Sequence, residues 1–136
     1  MTEGLRILLV DDEPSLLRLL QRHLQRGGHE VLAADSAEAA LEQLQEGRRG
    51  PDVLITDEVL PGMAGTDLAK ALLHRYPESA CLLCSGYPIS LDGFTAPERE
   101  RVTVLQKPYL PEDLDAAVRD IAGAGRQSRA AGSHGV

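Results

Sequence analysis

Acidic, hydroxyl and basic side chains stand directly after four separate apolar runs of this chain. The runs are followed by Asp11 and Asp12, by Asp57, by Ser85 and by Lys107. Each run is short and rich in Leu, Val and Ile, which is typical of a buried strand. Because ligands collect outside the carboxyl ends of the strands in an open parallel sheet, these side chains predict one shared site.

The residue types at this predicted site fit one kind of chemistry. Three clustered carboxylates repel one another unless a cation joins them, and oxygen donors favour a hard divalent ion. We therefore expect Mg²⁺, or Mn²⁺, at Asp11, Asp12 and Asp57. A carboxylate can attack phosphorus, while a hydroxyl and an ammonium group suit the oxygens of a transferred phosphoryl group. Asp57 is thus the predicted phosphoacceptor, with Ser85 and Lys107 beside it.

The elements that must position these side chains alternate along the chain. The strands are expected at residues 8–10, 31–34, 53–55, 81–84 and 102–105. Between them, apolar residues recur at helical spacing, as in Leu17, Leu20 and Leu24 after Pro14. Five strands alternating with helices predict a parallel α/β sheet covered by helices on both faces.

Two of the predicted helices carry specific expectations. The third helix should bury Leu68, Ala71 and Leu72 against the sheet. The stretch before the fifth strand contains Gly93 and Pro97, so the fourth helix is expected to be short or irregular.

Composition limits the class of protein. The 136 residues, 43% hydrophobic and 26% charged, favour one domain, and the net charge of −7 argues against direct nucleic-acid binding. No apolar run is long enough to cross a bilayer and no secretory leader is visible, so we expect a cytoplasmic protein without a membrane partner. Residues 123–136 are rich in Gly, Ala, Ser and Arg and predict a disordered tail, which leaves residues 1–122 as the folded domain.

Four motifs together resemble the receiver domains of bacterial two-component signalling. Their order and spacing agree with that family, and the resemblance extends over about residues 5–121. The last two motifs look most like receivers attached to, or partnered with, hybrid sensor histidine kinases. The motifs are Val10-Asp11-Asp12-Glu13-Pro14, Asp57-x-x-Leu60-Pro61-x-Met63-x-Gly65, Ser85-Gly86-Tyr87 and Lys107-Pro108-Tyr109.

The resemblance implies a fold and a set of roles. The fold would be flavodoxin-like and doubly wound, with a five-stranded parallel sheet in the order 2-1-3-4-5. Asp57 would take a phosphoryl group from a sensor histidine kinase or a phosphotransfer domain. Asp12 would bind the metal directly, Asp11 would bind it through water, and the backbone carbonyl of Val59 would complete the shell. Ser85 and Lys107 would contact the phosphoryl group, and a conformational switch would follow.

Two further expectations come from the same resemblance. Receiver domains commonly have a cis peptide bond in the Lys-Pro motif, so we expect one between Lys107 and Pro108. They also usually carry an aromatic side chain three residues before the lysine, but this chain has Val104 there. A switch that reads out the rotation of an aromatic ring at that position is therefore not expected.

Two alternatives remain open at this point. A phosphoaspartyl hydrolase of the haloacid dehalogenase type would be a true enzyme that also uses a strand-end Asp with magnesium. That class needs a second Asp two residues after the nucleophile, and this position is Val59. A pseudo-receiver, which binds partners through a dead site, would lack functional side chains that this chain retains. The expected protein is therefore a signalling domain and not an enzyme.

Overall fold

A computed structural model of the protein describes residues 4–44 and 49–134, with side chains described as far as residue 123. Strands and helices alternate along the described chain. The strands are β1 (Arg6–Val10), β2 (Glu30–Ala34), β3 (Val53–Asp57), β4 (Ala80–Ser85) and β5 (Val102–Gln106). The helices are α1 (Pro14–Arg26), α2 (Ala37–Leu44), α3 (Gly65–Arg75), α4 (Ala96–Arg99) and α5 (Pro111–His134).

The five strands form one sheet in the order β2-β1-β3-β4-β5, and every neighbouring pair is parallel. The predicted flavodoxin-like architecture is confirmed. The register pairs Val10 with Thr56 and Asp57 with Cys84, so β1, β3 and β4 end at the same edge of the sheet. The side chains that follow these strands are thereby collected at one edge.

The sheet is buried on both faces. Its residues alternate between a cluster shared with α2 and α3 and a cluster shared with α1 and α5. In α1, Pro14 occupies the first turn, and Leu17, Leu20 and Leu24 are buried as the spacing predicts. On β4, Cys81 and Cys84 belong to opposite clusters because residues three apart on a strand face opposite sides.

The buried face of α3 differs in part from the sequence prediction. Leu68 and Leu72 are fully buried as expected, but Ala71 is exposed, and Ala69 and Leu73 are buried instead. Leu68 and Leu72 form one row of the helix surface, and Ala69 and Leu73 form the adjacent row at the same i, i+4 spacing. The contact with the sheet falls between these two rows, which turns Ala71 toward solvent.

Helix α4 is a single turn, as the sequence predicts. Thr95 and Glu98 form a capping box, in which each side chain accepts a hydrogen bond from the other residue's backbone N–H. The segment before it is held by Phe94, which is 4% exposed and packs in the α2–α3 cluster under Lys70, whose ammonium lies 5.4 Å from the ring centre. One buried ring therefore anchors a segment that lacks a regular helix.

Helix α5 carries the chain beyond the predicted domain boundary. Its backbone is helical to His134, while Ile121 is the last buried side chain among those described. The division at residue 122 and the disorder of residues 123–136 stay predictions, and residues 135–136 lie outside the described part. In the described residues, no helix combines the length and apolar character that a bilayer span requires.

Candidate functional site

Asp57 and Lys107 meet at the carboxyl edge of the sheet. Asp57 is the last residue of β3, and Lys107 follows β5 directly. The Lys107 Nζ lies 3.1 Å from Asp57 Oδ1, and both side chains are partly shielded from water. The Lys107 N–H also donates to the Ser85 carbonyl at 2.7 Å, and the Lys107–Pro108 peptide bond is cis as expected. The backbone of Lys107 is thus tied to the end of β4 while its side chain reaches the end of β3.

Three carboxylates converge at the same point. One oxygen atom from each of Asp11, Asp12 and Asp57 lies within 4.8 Å of the other two. Asp11 is buried, Asp57 is partly buried and Asp12 is exposed, so the cluster opens to solvent on one side. The Glu13 N–H donates to Asp11 Oδ1 at 2.9 Å and fixes the orientation of that carboxylate. An oxygen-only donor set of this kind, open on one side, fits a hard divalent cation.

The charges in the cluster shift two pKa values. Burial raises the pKa of Asp11; the hydrogen bond from Glu13 opposes this rise, and the nearby charge of Asp57 adds to it. Burial lowers the pKa of Lys107, but the hydrogen bond and charge of Asp57 outweigh burial, so the net shift is upward. Lys107 is therefore a firmly protonated ammonium group. Burial and the neighbouring negative charges make the ionised form of Asp11 costly unless a cation is bound.

The hydroxyl of Ser85 has a different engagement from the one that the sequence suggests. Ser85 is buried at the end of β4, and its Oγ donates to the Tyr87 carbonyl at 2.7 Å and accepts from the Tyr87 N–H at 3.1 Å. Both bonds close the turn that follows β4. Ser85 therefore lies at the carboxyl edge of the sheet as predicted, but its hydroxyl is hydrogen-bonded to the backbone of the loop that follows β4.

Val59 opens the loop that joins β3 to α3, and its side chain is exposed. The next residue, Leu60, is buried and holds the loop against the α2–α3 cluster. The ligand role of the Val59 carbonyl stays a prediction. No second carboxylate follows Asp57 at the position that a haloacid dehalogenase needs, because Val59 occupies it.

Glu58, the residue after Asp57, makes contacts beside the site that the sequence analysis did not anticipate. Its carboxylate accepts from the Thr66 N–H at 2.7 Å and from the Thr66 hydroxyl at 3.2 Å. One sequence signal could have pointed to it. The residue before α3 is Ala64, which has no side-chain oxygen to cap the helix, so a cap from elsewhere is needed.

The two cysteines take no part in redox chemistry of the Cys-x-x-Cys kind. Both are free and buried, and they lie on opposite faces of the sheet. Burial raises the pKa of the Cys84 thiol to about 12 and that of Cys81 further. Neither thiol is an available nucleophile at neutral pH.

Comparison with known proteins gives consistent results. The family model of the response regulator receiver domain matches residues 7–119. The alkaline phosphatase synthesis transcriptional regulatory protein PhoP of Bacillus subtilis is 30% identical over 116 residues, which cover 85% of this chain and 48% of PhoP. The virulence sensor protein BvgS of Bordetella pertussis is 46% identical over 98 residues, which cover 68% of this chain and 7% of BvgS.

A solved structure agrees as well. The receiver domain of the hybrid histidine kinase CckA is 32% identical, with a TM-score of 0.71, and the match covers 86% of this chain and 98% of that one. This chain spans about half the length of PhoP and less than a tenth of BvgS. These matches favour neither the hydrolase nor the pseudo-receiver alternative.

Proposed function

This chain belongs to the response regulator receiver family, and on that premise we propose that Asp57 accepts a phosphoryl group from a phosphohistidine. The observation that carries the proposal is the placement of the Asp57 carboxylate, 3.1 Å from the Lys107 ammonium and within 4.8 Å of Asp11 and Asp12. An Asp57 oxygen would form a bond to phosphorus as the bond between phosphorus and the histidine nitrogen breaks. The imidazole leaves with the electron pair of that bond.

The acidic cluster would hold the metal ion. Asp11, Asp12, Asp57 and the backbone carbonyl of Val59 are the proposed ligands, with Asp12 binding directly and Asp11 through water. Bound Mg²⁺ or Mn²⁺ would neutralise the charge that builds on the phosphoryl oxygens. The Glu13 N–H fixes the orientation of Asp11, and the Lys107 ammonium holds Asp57 Oδ1.

Lys107 and Ser85 would hold the phosphoryl group after transfer. Lys107 remains protonated and can move its hydrogen bond from Asp57 to a phosphoryl oxygen without leaving the site. Ser85 must first release the Tyr87 carbonyl, to which its hydroxyl donates at 2.7 Å. We propose that the loop after β4 has a second arrangement, in which Ser85 faces Asp57, and that phosphorylation favours it.

The domain is a signalling module, and we propose that the only reactions it catalyses are its own phosphorylation and dephosphorylation. We place its boundary near residue 122, with residues 123–136 as a tail outside the receiver. The last buried side chain among those described, Ile121, supports this boundary.

The proposed phosphodonor is a sensor histidine kinase or a phosphotransfer domain in the cytoplasm, and the similarity to BvgS and to the CckA receiver favours a hybrid kinase system.

The surface around Asp57 suits such a donor. The exposed large hydrophobic side chains of the described chain are Leu19, Val59, Tyr87 and Leu110, and three of them follow strands that end at this edge. Leu19 also lines an apolar groove with Lys107. We propose that the helix bearing the phosphohistidine docks over this groove, with the histidine above Asp57.

Labelling with a small phosphodonor tests the phosphoacceptor. With Mg²⁺ and acetyl phosphate, the wild-type protein should gain one phosphoryl group by intact-mass measurement, and Asp57→Asn should gain none. Asp35→Asn is the control, because Asp35 is an exposed acid that follows β2 and is not one of the three clustered carboxylates. Equal labelling of wild type and Asp57→Asn would overturn the assignment.

A further inference from the structure

Glu58 closes the loop Val59–Ala64 at its base. Its carboxylate accepts two hydrogen bonds from Thr66, at 2.7 Å from the backbone N–H and at 3.2 Å from the hydroxyl. Its backbone carbonyl accepts a third bond from the Gly65 N–H at 2.9 Å. The two ends of the loop are therefore joined through one residue.

The carboxylate of Glu58 also replaces a missing helix cap. Helix α3 begins at Gly65, and the preceding Ala64 makes no side-chain hydrogen bond to the first turn. The first N–H groups of a helix need acceptors, and Ala is among the poorest residues at this position. Glu58 supplies the acceptor from eight residues upstream, and its negative charge is favourable near the positive end of the helix dipole.

The start of α3 lies directly against the backbone of the phosphoacceptor. A Cβ atom at Gly65 would fall 2.5 Å from the Asp57 carbonyl oxygen, so only glycine allows this approach. Leu60, which is 8% exposed, anchors the middle of the loop in the core. The loop is thus held at its base by Glu58, at its end by Gly65 and in between by Leu60.

We propose that Glu58 is a positioning residue for the metal site, acting through the backbone of the loop that carries the Val59 carbonyl. The inference rests on the metal site of the proposed function and adds a residue to it. A loop that is ordered before the cation arrives loses less conformational entropy on binding. Opening the loop therefore lowers cation affinity although every ligand is still present.

Three variants separate loop closure from charge and from helix stability. Glu58→Ala removes both bonds to Thr66. Glu58→Gln removes the charge but keeps an oxygen that can accept from the Thr66 N–H. Adding Ala64→Ser to Glu58→Ala provides α3 with an ordinary cap.

Mg²⁺ affinity by calorimetry and amide exchange of the metal-free protein are the readouts. Glu58→Ala should bind Mg²⁺ about tenfold more weakly, the size of effect seen when a residue that supports a metal ligand is lost. Glu58→Gln should retain most of the affinity. In metal-free Glu58→Ala, the Thr66 amide should exchange faster, and the added Ala64→Ser should recover thermal stability but not Mg²⁺ affinity.

Each outcome decides the inference. Unchanged affinity in Glu58→Ala overturns it, and so does an equal loss in Glu58→Ala and Glu58→Gln, which would point to charge alone. Full recovery of affinity with Ala64→Ser would reduce Glu58 to a helix cap. If the wild-type protein itself binds no Mg²⁺, both the proposed metal site and the inference about Glu58 are wrong. If the wild type and Glu58→Ala bind Mg²⁺ equally well, the metal site stands and only the role of Glu58 is wrong.

Discussion

Removal of one charge from the acidic cluster should stabilise the protein in the absence of metal. Asp12→Asn keeps the shape of the side chain but removes its repulsion with Asp11 and Asp57, whose oxygens lie within 4.8 Å. The charge of Asp12 is one of those that raise the pKa of Asp11, so the repulsion acts in the folded protein. The free energy of unfolding of metal-free Asp12→Asn should therefore exceed that of the wild type.

The size of the gain follows from the distance and the exposure. At 4.8 Å, the upper limit of the separations between these oxygens, two unit charges repel by about 0.9 kcal/mol in water and by about 3.5 kcal/mol at an effective dielectric constant of 20. Asp12 is exposed, so the value for water applies to each of its two pairs. The total is about 1–2 kcal/mol at low salt, which corresponds to about 3–6 °C in Tm for a domain of this size.

Thermal unfolding in EDTA and in excess Mg²⁺ measures the effect. In EDTA and low salt Asp12→Asn should melt above the wild type, and the difference should shrink at high salt because the repulsion is screened. In excess Mg²⁺ the order should reverse, since the variant lacks a proposed ligand and gains less from binding. Glu42→Gln removes the same charge from an exposed position of α2 and controls for net charge. A variant that melts below the wild type in EDTA would show that Asp12 is structural and would refute the reasoning.

Two further predictions concern the scaffold. The Leu5 N–H donates to His29 Nδ1 at 3.0 Å, and burial lowers the pKa of His29 despite the opposing charge of Asp115. As pH falls, His29 therefore becomes protonated in the unfolded chain before it does in the folded protein, so the free energy of unfolding should fall below about pH 6.5. In urea unfolding, His29→Asn should show a smaller fall over the same pH range. Equal dependence on pH in the two proteins would contradict this. Phe94→Ala should cost about 3–5 kcal/mol in urea unfolding and speed amide exchange of residues 89–101, because the ring is the buried anchor of that segment. A loss under about 1 kcal/mol, well below that range, would mean that the segment is held by other contacts.

Much of the fold and of the site could be predicted from local patterns. Short apolar runs bounded by polar residues indicate strands, and the spacing of leucines after Pro14 indicates a helix, because burial follows the period of the backbone. Parallel strands deliver their following residues to one edge, so the meeting of Asp57 with Asp11, Asp12 and Lys107 follows once the topology is known. A short fourth helix was likewise predictable from backbone chemistry alone.

The tertiary structure alone decided features that depend on long-range packing. The rotation of α3, which buries Ala69 and exposes Ala71, is set by how the helix rests on the sheet, and both residues are small enough for either position. Which partner the Ser85 hydroxyl takes, the backbone of Tyr87 two residues further on, is also visible only in the structure, because a serine at the end of a strand has several possible partners. The cap from Glu58 to Thr66 joins residues eight apart, which no helical or strand period brings together. The missing cap at Ala64 signals in the sequence that α3 needs an acceptor, but only the path of the loop shows that Glu58 supplies it.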